Sequence, residues 1–142
     1  MKREVARNLT YQIIFQREFH DDFEERYPRL IEENNIRGVQ GEYSRKTIEG
    51  VLENIDRLDE IIRGNLRGWK FERLSLHVIT VLRLGIYEML FNDDIPAKVA
   101  LNEAVKLAHR YSEPKEANFV NGLLNTVYKN YCADVDKIQD NA

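Results

Sequence analysis

Lys2, Arg3 and Arg7 place three cations in the first seven residues, at the start of a segment whose apolar spacing predicts a helix. Arg3 and Arg7 are four residues apart, so they share one helix face, with Lys2 close by. Cations at a helix amino terminus oppose the macrodipole. Helix stability therefore does not account for them, which leaves a solvated face or an anion site. Other chemistry-bearing residues are sparse. His20-Asp21-Asp22 has metal-ligating types, but three adjacent groups without a distant partner make a weak metal site. Asp93-Asp94 are neighbours at a helix end, where carboxylates point different ways and serve as turn residues. His20, His77 and His109 are far apart, and no HExxH run or phosphate-binding glycine loop occurs. The single cysteine, Cys132, cannot form an internal disulfide and fits a reducing compartment. These residues imply a protein that is not an enzyme and holds no cofactor and no metal.

The elements that would position the cations follow from periodicity. Residues 76–91, LHVITVLRLGIYEMLF, hold 11 apolar side chains among 16, spread around every side of a helix. A helix apolar all round is buried or in a membrane. This one is too short to span a bilayer and carries Arg83 and Glu88, so it is expected at the centre of the fold. Ser75 is its expected N-cap. Gly85, a poor helix former, implies close approach of another helix. Before it, residues 3–19 predict a helix with Val5, Leu9 and Ile13 in one set and Tyr11, Phe15 and Phe19 in another. A second helix follows around Phe23, Tyr27, Leu30 and Ile31, beginning or kinking at Pro28. Gly38 and Gly41 bracket an expected loop, and one long helix is expected from Tyr43 to about Arg63. Trp69 and Phe71 are expected to plug the junction between two bundles. Pro96 opens a further helix with Val99, Leu101, Val105 and Ala108 inward, and the last begins near Glu116. Gly122 is expected to allow close helix packing, and the polar tail after Cys132 to fray.

The 142 residues suit one domain: an all-α fold with a first helical bundle over residues 1–68, a second over 69–133 and a polar tail over 134–142. No signal-type apolar core or membrane span occurs in the sequence, so a cytoplasmic protein is expected. The formal charge is −3 and the pI about 5.7, which by itself argues against nucleic-acid binding. The charge is uneven. Residues 1–19 and residues 105–131 each carry +2, and the remainder carries −7.

Two stretches resemble a known family. They are LRLGIYEMLFNDDIPAKVALNEAVKLAHRYS, residues 82–112, and NFVNGLLNTVY, residues 118–128. Their order and spacing are similar to the NusB family of bacterial transcription antitermination proteins. GVLENIDRLDEII and GWKFERLS resemble the family's middle, so the likeness covers almost the whole chain. It implies two three-helix bundles packed across each other, with about seven helices. It also implies a factor that binds boxA-type single-stranded RNA together with NusE, a ribosomal small-subunit protein. Such a factor joins the antitermination complex on RNA polymerase and favours processive transcription of ribosomal RNA operons. A homodimer through the same helices is open to such a protein. A protein-binding module without RNA affinity is an alternative reading. Another is a relative of the RNA-binding part of a ribosomal RNA cytosine methyltransferase, although this sequence has no room for a catalytic domain.

The resemblance also suggests residues. The family's arginine-rich first helix corresponds to REVARNLT, residues 3–10, in which Glu4 and Val5 replace residues often basic in relatives. Lys2, Arg3 and Arg7 are the phosphate-contact candidates on this basis, joined by Lys115 before the NFVNG motif. Phe119 matches a family position near RNA and is the base-stacking candidate, with a core position as the other reading. Arg83 is either a buried cation paired with a carboxylate such as Glu103 or a NusE contact, so Arg83 and Glu103 are the partner-binding candidates.

Overall fold

A computed structural model describes residues 1–132 and shows, among them, seven α-helices and no strand. The helices are α1 (Arg3–Phe15), α2 (Phe23–Glu33), α3 (Gly38–Glu53), α4 (Ile55–Gly64), α5 (Leu76–Leu90), α6 (Ala97–Tyr111) and α7 (Pro114–Tyr131). The tail expected to fray lies outside the described residues. No helix is long and apolar enough to cross a membrane, among the described residues.

Helices α1, α2 and α3 pack on one another, and α5, α6 and α7 form a second three-helix set. Helix α5 joins the two, touching α1, α3 and α4 as well as its own partners. Its residues from Val78 to Met89 are all buried, as an all-round apolar helix must be. Ser75 caps it, its hydroxyl accepting from the Val78 N–H at 3.2 Å. Gly85 serves the close approach its type implies. A Cβ there would lie 2.7 Å from the Ala104 Cβ of α6. A close seam of the fold is therefore a Gly–Ala contact between α5 and α6.

Several boundaries differ from expectation. The segment expected as one helix from Tyr43 to Arg63 is two helices, because Asn54 interrupts it. Its backbone leaves the helical region, at φ −108° and ψ 14°, while its side-chain amide donates to the Gly50 carbonyl at 2.8 Å. Helix α3 begins at Gly38, inside the expected loop. Helix α2 runs through an exposed Pro28 rather than beginning at it. Helix α7 starts at Pro114 through a capping box, with the Glu113 N–H donating to the Glu116 carboxylate at 3.2 Å. Val5 and Val99, expected inward, are exposed. Gly122 has open space around it and permits no close packing. Trp69 does not plug the bundle junction: it is 46% exposed, whereas Phe71 packs on the core.

The Gly85 seam gives a size test. Gly85→Ala, ordinarily stabilising in a helix by up to about 1 kcal/mol, should here destabilise by about 1–3 kcal/mol through overpacking. Adding Ala104→Gly should recover part of the loss. Urea denaturation of the two single variants and the double variant reads both effects.

Candidate nucleic-acid interface

The three cations at the start of α1 separate in the structure. Lys2 is exposed at the N-cap position. Arg3 is half-buried: its Nε donates to Gln40 Oε1 at 2.6 Å, and its guanidinium lies 4.1 Å from the centre of the Tyr43 ring. Arg7 points into the protein and is 5% exposed. Its Nε and Nη2 donate to the two carboxylate oxygens of Glu88 at 3.0 and 3.1 Å, and its Nη1 lies 3.5 Å from Glu103. Tyr43 donates to the same Glu88 carboxylate at 3.0 Å.

This corrects Arg7 as a phosphate contact. Its donors face the buried Glu88 and the partly buried Glu103, and a guanidinium held there is turned away from a phosphate outside. Burial alone would lower the Arg7 pKa, but the Glu88 hydrogen bond and charge outweigh it and leave the pKa raised. Burial and the Glu88 charge push the Tyr43 hydroxyl well above an ordinary tyrosine.

Arg83 is the buried, carboxylate-paired cation of one of its two expected readings, but Glu103 is not its partner. Arg83 is 8% exposed and forks onto Asp59 of α4, with Nε to Oδ1 at 2.8 Å and Nη2 to Oδ2 at 2.9 Å. Its Nη1 donates to Glu18 at 2.9 Å. Glu103 is shared between Arg7 and the exposed Lys106. Arg83 is thus occupied inside the protein and offers a partner no free donor fork. The sequence pattern could not show these pairings, because Arg7 and Glu88 are 81 residues apart and Arg83 and Glu18 are 65 apart.

The start of α7 comes to the side of α1 through Tyr111. Its hydroxyl donates to Asn8 at 3.2 Å and accepts from Gln12 at 2.9 Å, and its ring stacks on Tyr11 at 4.4 Å. The aromatic row continues from Tyr11 to Phe15, which stacks on His77 at 4.6 Å. Beyond Tyr111, Glu113 opens α7, where Lys115 is exposed and, among the described residues, in no ion pair, and Phe119 is half-buried. Phe119 has two roles at once. One side packs on the core, and its ring lies 5.3 Å from that of Trp69. The Lys115 ammonium lies 5.9 Å from the Trp69 ring centre. On the α7 side, an exposed lysine and two partly exposed aromatic rings stand together, residue types that single-stranded nucleic acid binding uses.

A family profile described as the NusB family matches residues 2–129. The chain belongs to the NusB family. The transcription antitermination protein NusB of Ruminiclostridium cellulolyticum is 42% identical over 127 residues, covering 89% of this chain and 86% of that protein. Among solved structures, NusB of T. maritima is similar with a TM-score of 0.83 and 32% identity, covering 96% of each chain. A structure of the antitermination factors NusB and NusE in complex with double-stranded RNA is similar with a TM-score of 0.80 and 27% identity, covering 91% of this chain and 97% of that one. Family membership and the two-bundle fold thus agree with the resemblance seen in residues 82–112 and 118–128.

Glu88 carries two expected outcomes. Glu88→Gln leaves the buried Arg7 guanidinium with only the more exposed Glu103 at 3.5 Å as counter-charge, and should cost up to about 3 kcal/mol of stability, read as a fall in the urea midpoint. The second concerns pH. The raised Tyr43 and Tyr11 hydroxyls, the latter lifted by burial and by Tyr111 and Glu116, favour folding only while protonated. Their contribution is complete below about pH 10, where unfolded tyrosine titrates, and is lost as pH rises through the folded values. Stability followed from pH 8 to 12 should fall less steeply in Tyr43→Phe than in the wild type.

Proposed function

We propose that this chain is a cytoplasmic, non-catalytic transcription antitermination factor. It binds boxA-type single-stranded RNA together with NusE and joins the antitermination complex on RNA polymerase in ribosomal RNA operons. The observation that carries this reading is the likeness, over 91% of the chain, to a NusB solved with NusE and RNA. The surface supports it. Lys2, Arg3 and Lys115 supply phosphate contacts, and Phe119 supplies a ring face for an unpaired base. Arg7 acts one step back by holding α1 against α3 and α5 through Glu88 and Tyr43.

Phosphate contacts position an RNA strand without reading it, whereas unpaired bases are read at their faces and edges. With three contributing cations on a single strand, affinity should fall with salt at a log–log slope of about −2. Fluorescence anisotropy with a labelled boxA-type strand and a scrambled strand, with and without NusE, tests the reading. The expected result is a preference for the boxA-type strand that NusE strengthens. Equal affinity for both strands even with NusE would sink it and leave a protein-binding helical module.

A further inference from the structure

Residues 63–73, RGNLRGWKFER, connect the first bundle to the second and form the most concentrated basic stretch of the chain. Arg63, Arg67, Lys70 and Arg73 stand against Glu72 alone, a balance of +3 in a chain of net −3. The single acid is already used, since Arg63 pairs with Glu72 at 2.9 Å. Arg67, Lys70 and Arg73 are exposed and, among the described residues, lie in no ion pair. A helix face balances its charges across a turn, but this connection does not.

Within that stretch stands the only tryptophan of the protein, Trp69, 46% exposed. Burying an indole is among the larger apolar gains a fold can make. Here the chain turns away from that gain. Gly68, at φ +74°, takes a left-handed conformation immediately before it. One side of the indole is spent on Phe119, at 5.3 Å and an interplanar angle of 48°, and Lys115 stands 5.9 Å from its centre. The arrangement is an open aromatic surface with Lys115 beside it, on a connection that also carries the exposed cations Arg67, Lys70 and Arg73.

We infer that Trp69, paired with Phe119, is a stacking platform for an unpaired RNA base, and that the 63–73 connection holds the flanking phosphates. This rests on the RNA-binding reading above and extends its surface from α1 and α7 to the inter-bundle connection. The charge decides the ligand class. A protein partner needs apolar area and mixed polarity, whereas an excess of exposed cations on a connection that also presents a π face suits a polyanion whose units each carry a flat ring. The two rings meet from different bundles' ends, Trp69 from the connection and Phe119 from α7. The platform therefore exists only in the folded protein.

Trp69 is its own probe. Titrating the wild type with a boxA-type single strand in the presence of NusE should quench Trp69 emission at the RNA concentration at which anisotropy saturates; a Trp69→Phe protein serves as the blank. Trp69→Ala should weaken RNA affinity by roughly five- to a hundred-fold, and Trp69→Phe should restore much of it. Lys70→Gln and Arg73→Gln should each reduce the salt slope by about 0.7. Normal RNA affinity in Trp69→Ala with unquenched wild-type emission overturns the platform and leaves the proposed function standing. Loss of NusE binding with unchanged RNA affinity also overturns it and makes the face a protein-docking surface. No RNA binding by the wild type, with or without NusE, overturns both readings.

Discussion

Two charges on an otherwise apolar helix govern how the bundles meet. Arg83 and Glu88 lie on α5, the helix on which both bundles pack, and both are buried. Removing an ion from water costs several kcal/mol, recovered only when a counter-charge arrives in good geometry. Both counter-charges come from the first half of the chain. Arg7 of α1 and Tyr43 of α3 meet Glu88, while Asp59 of α4 and Glu18 after α1 meet Arg83. The signs are opposite at the two points, so a reversed docking would bring Arg7 to Arg83. Apolar packing tolerates many registers, but these two contacts tolerate one.

The same constraint reaches the surface. Because Arg7 is anchored inward, the face of α1 carrying Thr10 turns to α3, where Thr10 and Ser44 share a hydrogen bond at 2.8 Å. Tyr11 meets Tyr111 at the end of α6, which in turn fixes where α7 begins and where Lys115 and Phe119 stand. The exposed cations thus owe their arrangement to a buried one.

Much of the fold was legible in the sequence, and the reasons are physical. The all-round apolar run identified α5, its Ser75 cap and the Gly85 approach, because burial and helix geometry leave a local mark. The break at Asn54 and the fate of Gly122 were not legible. One depends on the backbone leaving the helical region at a single residue, the other on which neighbour happens to face a glycine. Gly50, whose place the helical spacing leaves unmarked, faces the ring of Tyr87. The site was less legible than the fold. A long cationic side chain at helical spacing looks the same whether it meets water, RNA or a carboxylate 81 residues away. The family likeness identified the segments, but which arginine faces outward is a tertiary fact.

Charge distribution also explains why such a protein suits a shared interface. The whole chain is acidic at −3, so at a distance its field does not attract RNA. At physiological salt, screening confines electrostatics to about 8 Å, and within that range the local exposed cations, such as Lys2 and Lys115, count for more than the net charge. Attraction therefore begins only near contact. Affinity must come from fit and from stacking rather than from long-range steering, and any partner that brings further cations alongside the strand lowers the barrier to meeting it. Buried pairs such as Arg7–Glu88 add no net charge to that surface, which separates the electrostatics that build the fold from those left over for binding.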